Sequence, residues 1–294
     1  ATLQRVRLSF DADINKNVRA FINLQDQRVF GEEGSAFAGT GTLGNLERTD
    51  LLEGYVEARN LGDLTSILKD IGLRIGRWQA TYGNDRLIGT MNWTNQGRAY
   101  DGARVRWDDK KGNWADLFAF QIEEFGATPG GTAEVTDGGT SAPSDIDEVL
   151  YGLYTHFKVY KGVVFEPYGI ARARSIEHND TTATKNGEQR YTAGFRLDGR
   201  NIEGLGGLDF TIEPAWQFGK VEGLRAAGTG GAADLSANGN AVGSILGHTE
   251  SQVIQAWAIH AETGYTFKQI PWTPRIGYAY SFASGDYRLG KGAA

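Results

Sequence analysis

Arginine is the residue type in this chain with the most chemistry to offer. It supplies 20 of the 30 basic side chains, and several arginines stand two residues apart, as Arg5 and Arg7, Arg104 and Arg106, and Arg172 and Arg174 do. Side chains at that spacing share one face of a β-strand. Arg19, Arg59, Arg74, Arg196 and Arg275 occupy the same kind of polar position in their own segments. So do the acids Glu53, Glu57, Asp116, Glu166, Asp209, Glu213 and Glu262. Two chemistries fit such a face. Opposite charges on neighbouring strands form a ladder of ion pairs that stiffens the wall. Guanidinium forks in a row also offer bidentate pairing to the carboxylates of an anionic solute. The two readings are compatible. Arg104 and Arg106 have only Asp101, Asp108 and Asp109 close by in sequence, so they are expected to be the least neutralised by local partners.

Other reactive groups are sparse. Of the four histidines, His156 and His260 fall on polar strand faces, while His178 and His248 fall in loops. A hydrolase embedded in the fold would need one of them to meet a serine and an acid in space. A solvated histidine is the simpler reading. No spacing of His, Asp and Glu suggests a metal centre, and no cofactor is expected. Gly39-Thr40-Gly41-Thr42-Leu43-Gly44 matches a dinucleotide fingerprint, but it sits in a polar loop and not between a strand and a helix. Asp11-Ala12-Asp13-Ile14-Asn15 opens like a calcium loop and then fails, with Lys16 at the turn glycine and Ile22 at the bidentate glutamate. The stretch from Gly112 to Phe157 lacks Lys and Arg, so its acidic loop reads as solvated, with divalent cations as the conceivable ligand. A formal charge of −6 argues against a nucleic-acid partner.

The elements that must hold these side chains are strands. A period of two runs along the whole chain. Val6, Leu8, Phe10, Ala12 and Ile14 alternate with Arg5, Arg7, Ser9, Asp11 and Asp13, and the pattern resumes after Asn15-Lys16-Asn17. Residues 51–60, 190–199 and 207–219 repeat it, with less regular runs near 70–77, 101–107, 113–123, 149–159, 163–174, 253–268 and 274–284. About twelve strands of roughly 9–13 residues result, the length a tilted strand needs to cross a bilayer. Short turns follow odd-numbered strands, at 15–17, 110–112, 160–162 and 269–271, and the 62–69 link has room for one helical turn. Long Gly-, Thr- and Asp-rich loops follow the even-numbered ones, near 28–50, 78–100, 124–146, 175–189 and 219–252. That asymmetry is characteristic of outer-membrane barrels.

Alternation does not say which face points inward, since a soluble barrel has the same rhythm reversed. Size decides: an apolar interior within about twelve strands would be too wide for side chains to fill. The apolar face is therefore expected to meet lipid, with Val6, Leu8, Phe10, Ile212 and Ile259 on it. A large soluble sandwich is the alternative. Trp107, Tyr191, Trp216, Phe218, Trp257, Tyr265, Phe267, Tyr278, Tyr280 and Phe282 lie on apolar faces, many near strand ends, as interfacial aromatics do. The chain has no Cys and no run of about 18 apolar residues, so a helical span is not expected. Ala1 to Arg7 already alternate like a strand, so a signal peptide has been removed or lies outside this sequence.

Two runs carry a family resemblance: Gly76-Arg77-Trp78-Gln79-Ala80-Thr81-Tyr82-Gly83-Asn84-Asp85-Arg86-Leu87-Ile88-Gly89, and Asn92-Trp93-Thr94-Asn95-Gln96-Gly97-Arg98-Ala99-Tyr100-Asp101-Gly102-Ala103-Arg104-Val105-Arg106. With Val18-Arg19-Ala20-Phe21, Leu24-Gln25-Asp26 and the stretch from Tyr278 to Asp286, the chain resembles the alginate-export porin family. The resemblance implies a bacterial outer-membrane β-barrel whose electropositive, Arg-rich lumen passes an anionic polysaccharide. It also implies about eighteen strands, so residues 1–294 are expected to form a single transmembrane, antiparallel, up-and-down barrel domain that is part of a larger barrel. The ending Gly290-Lys291-Gly292-Ala293-Ala294 lacks a terminal aromatic strand, and with the lower strand number it suggests a partial sequence or closure by an unusual route. The pathway is expected to be lined by Arg5, Arg7, Arg19, Arg59, Arg74, Arg104, Arg106, Arg172, Arg174, Arg196, Arg275, Glu53, Glu57 and Glu213. Its partners would be outer-membrane lipid, the anionic solute or polysaccharide, and a periplasmic or outer-membrane assembly protein. Two other functions remain open: a structural barrel that sheathes or docks a partner protein, and a barrel-embedded hydrolase.

Overall fold

Alternation along the chain folds into strands and little else. A computed structural model describes residues 2–30, 48–63, 65–95, 97–122, 145–177, 186–221 and 252–285. Twelve antiparallel strands form one up-and-down sheet whose spatial order is the chain order. They are β1 (Thr2–Asp13), β2 (Val18–Phe30), β3 (Arg48–Ala58), β4 (Ile71–Trp78), β5 (Tyr100–Asp108), β6 (Trp114–Gln121), β7 (Asp145–Tyr160), β8 (Val163–Glu177), β9 (Asn186–Gly199), β10 (Leu208–Val221), β11 (Gln252–Thr266) and β12 (Arg275–Ala283). The chain divides into two compact units, Ala1–Glu123 with β1 to β6 and Glu124–Ala294 with β7 to β12. The dinucleotide-like run at 39–44, most of the acidic loop, His178, His248 and the residues from 286 onward lie outside the described residues.

Local chemistry closes the short turns. Asn15 Oδ1 accepts the amides of Asn17 at 2.8 Å and Val18 at 2.9 Å, an Asx turn that sets the β1–β2 register. Asp109 does the same for the β5–β6 turn, accepting from the Lys111 amide at 2.7 Å and the Asn113 amide at 3.0 Å. The β3–β4 link holds two short 3-10 turns, Leu61–Asp63 and Ser66–Leu68, where one helical turn was expected. Asp63 there is clamped by the Lys16 ammonium at 2.6 Å and the Asn17 amide at 2.6 Å, which together hold its carboxyl below the usual carboxylate range. Within β4, Gly76 is required. Its φ is 130°, and a Cβ there would lie 2.3 Å from the Gly54 carbonyl oxygen and 2.8 Å from the Tyr55 Cα.

Burial is inverted relative to a water-soluble fold. Leu8 and Phe10 on β1 are 55 % and 54 % exposed, while Gln25 and Gln27 on β2 are 3 % and 1 % exposed. The same inversion holds across both units. Val6, Ile22, Val56, Ile75, Val105 and Leu117 are exposed in the first, and Leu153, Tyr191, Ile212, Trp216, Phe218, Trp257, Tyr278 and Phe282 in the second. Asn23, Asp116, Glu166, Thr192, Arg196, Asp198, Thr211 and Glu213 are buried. Water on the apolar face would carry a heavy hydrophobic cost across so many side chains; a hydrocarbon surround removes it. The face expected for lipid is thus the exposed apolar one, except that Ile259 is only partly exposed where it pairs with Phe282.

Candidate functional site

The polar face carries the arginines, and the register decides what each one meets. In the first unit Arg19 forks onto Asp11 at 2.7 and 2.6 Å, and Arg59 pairs with Asp13 at 2.9 Å. Glu57 collects Arg74 at 2.7 Å and Arg104 at 3.0 Å, with Arg19 at 3.9 Å. Asp116 is fully buried and receives both Nε and Nη2 of Arg106 at 2.6 Å, the Tyr82 hydroxyl at 2.9 Å, and Arg104 at 3.7 Å. Arg74 also lies 4.2 Å from the Tyr55 ring centroid, and Arg106 4.5 Å from that of Trp114. Arg104 and Arg106 are thereby corrected: their partners come from across the sheet, where Arg106 faces Asp116 in register. Glu53 accepts from Asn23 at 3.0 Å and the Gln79 amide at 3.1 Å, with no arginine paired to it among the described residues.

Arg5 and Arg7 differ from the rest. Arg5 Nη1 donates to the carbonyls of Thr94 at 2.9 Å and Asn92 at 3.4 Å. Arg7 donates to Gln25 Oε1 at 2.7 Å and Asn92 Oδ1 at 3.1 Å. All four acceptors are neutral. On this face Arg5, Arg7, Arg19, Arg59, Arg74, Arg104 and Arg106 stand among Asp11, Asp13, Asp50, Glu53, Glu57, Asp108 and Asp116. Near the short turns this wall opens a cleft of about 310 Å³ bordered by Arg59, Arg74, Arg104, Arg106 and Lys110 together with Glu57, Asp70 and Asp108.

The second unit repeats the design with a different carboxylate at its centre. Buried Glu166 accepts from Arg196 at 2.6 Å and the Tyr154 hydroxyl at 2.9 Å, and it lies 2.6 Å from His156 Nδ1. Arg196 also meets Asp198 at 2.7 Å. Arg172 forks onto Glu148 at 2.7 and 2.8 Å, with Arg174 at 4.0 Å from the same carboxylate. Arg275 bridges Asp209 at 2.6 Å and Glu262 at 2.9 Å, and buried Glu213 lies 3.4 Å from the Tyr168 hydroxyl. His260 Nδ1 does meet Ser281 Oγ at 2.8 Å, but Glu262 is 4.0 Å from its Nε2, beyond hydrogen-bond reach, and is held by Arg275 instead. Among the described residues no group of His, Cys, Asp and Glu is arranged to hold a metal.

The segment between β4 and β5 is the feature the sequence concealed. It is not a solvated loop but is packed onto the polar face of its own unit. Trp78, Tyr82, Ile88, Tyr100, Phe118 and Phe120 are all buried. Phe118 and Phe120 stack at 4.5 Å between centroids, Tyr82 stacks on Phe118 at 5.1 Å, and Tyr100 stacks on Phe120 at 5.1 Å. Beyond this small core the chain makes a tight turn, with Thr94 N donating to the Met91 carbonyl at 2.9 Å and Arg98 N to the Thr90 carbonyl at 2.6 Å. Gly97 is required there: its φ is 74°, and a Cβ would stand 3.3 Å from Asn92 Oδ1 and 3.4 Å from Arg7 Nη2. One signal did exist. Tyr82, Leu87, Ile88, Met91 and Trp93 are more apolar residues than a solvated loop would carry.

A long-stranded sheet, apolar on its exposed face and charged on the other, defines a membrane protein of the outer-membrane β type. The alginate-export family model matches residues 1–294, and the chain belongs to the alginate-export family. Its role is in alginate export through the outer membrane, with a polysaccharide as the substrate, and the family is one of export channels and not of enzymes. No curated protein matches the chain.

Proposed function

We propose that residues 1–294 act as one barrel domain whose charged face lines a water-filled passage for an anionic, polyuronate-like chain. The observation that supports this reading is the inverted burial, with guanidiniums on the sheltered face and aliphatic and aromatic side chains on the exposed one. Most of these arginines have a double role. Paired with Asp11, Glu57, Asp116, Glu148, Glu166 and Asp209, they brace the wall, and the donor capacity left over faces the solute. Arg5 and Arg7, whose acceptors among the described residues are neutral oxygens, bias the passage toward anions, and the segment 79–95 narrows it on that side. A polyuronate moving past such a wall exchanges carboxylate contacts with successive guanidiniums, each weak in water, so it is guided without being trapped.

Reversal potential across a planar bilayer under a salt gradient tests the proposal. The wild-type protein should prefer anions at low ionic strength, and the preference should shrink as salt screens the wall. Absence of conductance, together with co-purification of a stoichiometric protein partner, would favour the sheath role in its place. Cation selectivity at low salt would show that the acids, and not the arginines, set the field.

A further inference from the structure

We propose that Arg5, Arg7 and Trp93 form a subsite for a single uronate ring of the polymer, a proposal that rests on the passage being an anionic-polysaccharide conduit. Arg19, Arg59, Arg74, Arg104, Arg106, Arg172, Arg174, Arg190, Arg196, Arg200 and Arg275 each have a carboxylate within 4.0 Å. Arg5 and Arg7 instead bond to the oxygens of Gln25, Asn92 and Thr94. The present bonds already have an ionised donor, but a carboxylate adds the opposite charge and a bidentate fit that single neutral oxygens lack, so it competes for these two guanidiniums. Arg5 is also exposed and uses only Nη1 among the described residues, which leaves its Nε and Nη2 edge open for a bidentate carboxylate.

Trp93 supplies the other half of the recognition. It sits at the turn between Asn92 and Thr94, whose carbonyls Arg5 grips, so ring and guanidinium are fixed to one short piece of backbone. Its side chain is 75 % exposed, although the turn lies on the polar face and not on the lipid-facing one. Among the described residues this exposed indole makes no ring or cation–π contact. Its flat apolar surface matches the C–H face of a pyranose, while the neighbouring arginines match the carboxylate at the ring's C5. The turn itself is preorganised by the Thr94-to-Met91 and Arg98-to-Thr90 backbone bonds and by Asn92 Nδ2 donating to Thr90 Oγ1 at 2.9 Å. A small inorganic anion would use only the arginines and a neutral sugar only the indole. A uronate ring uses both.

The test is block of single-channel current by short oligouronates, compared with neutral oligosaccharides of equal length, for folded protein that shows the heat-dependent gel shift of an intact barrel. Wild type should be blocked more strongly by the oligouronate. Trp93→Ala and Arg5→Gln should each weaken that block by about three- to tenfold, and Trp93→Phe should restore most of it. Because Trp93 is exposed, its replacement opens no cavity. Oligouronate block unchanged in both variants, or equal block of wild type by the neutral oligosaccharide, overturns the subsite. Loss of anion selectivity in the wild-type protein itself would instead overturn the conduit reading on which it rests, so the two failures are distinguishable.

Discussion

Single residues on the polar face act as hubs, and the chemistry of each hub follows from what burial forbids. Asp116 has no access to water and takes Arg106 at 2.6 Å and Tyr82 at 2.9 Å. Its charge is tolerable only because those donors replace the lost hydration. Glu166 is in the same position in the second unit, with Arg196 and Tyr154 as donors. Asp116→Ala should therefore do more than remove a contact. It removes the Tyr82 and Arg106 bonds at once, and because the Arg106 side chain is 32 % exposed and regains some water, the loss is about 1–3 kcal/mol. Urea unfolding of the detergent-solubilised protein, followed by tryptophan fluorescence, measures it. A loss near that of an exposed pair, at most about 1 kcal/mol, would mean that water reaches this carboxylate freely.

Strands are where the faces are assigned, and β1 shows the assignment most clearly. Phe10 lies on the exposed apolar row opposite Ile22, and Ser9 lies on the polar row opposite Asn23. An arginine on the lipid side at mid-membrane costs about 2–4 kcal/mol, while one facing water costs little. Phe10→Arg should accordingly depress the yield of assembled protein far more than Ser9→Arg, measured as the fraction that resists unfolding in cold sodium dodecyl sulfate. Equal yields would show that β1 is not lipid-facing at Phe10. The β4–β5 connection follows a different rule. Its buried aromatics dock it on the wall, so it behaves as an element of the structure without being a helix or a strand.

Both units combine an apolar, lipid-compatible face with a charged one, and the solution behaviour of the protein should reflect that. The purified protein should stay dispersed only in detergent or lipid, give a β-rich circular dichroism spectrum, and migrate differently before and after boiling. Monodisperse behaviour in plain buffer would contradict the apolar exterior formed by side chains such as Leu8, Phe10, Trp216 and Tyr278.

Strand count, strand phase and the charged face were all legible in the residues, because a period of two needs only local sequence to show itself. Val6, Leu8 and Phe10 alternate with Arg5, Arg7 and Ser9 whatever the rest of the chain does. The resemblance carried by residues 76–106 was legible too, and the family match over the whole chain agrees with it. Partner choice was not. Arg104 and Arg106 have few acids beside them in sequence, yet the register with β6 sets Asp116 opposite Arg106, and Arg74 on β4 shares Glu57 with Arg104. β6 was ambiguous for a related reason: Leu117 on one face and Phe118 and Phe120 on the other are all apolar, so hydrophobicity could not choose between them. The choice came from the packed segment, whose Tyr82 and Ile88 needed a buried apolar surface and found it on that inner face. Contacts between residues distant in sequence decide which charges are spent on bracing, and only in three dimensions do Arg5 and Arg7 emerge with neutral hydrogen-bond acceptors among the described residues.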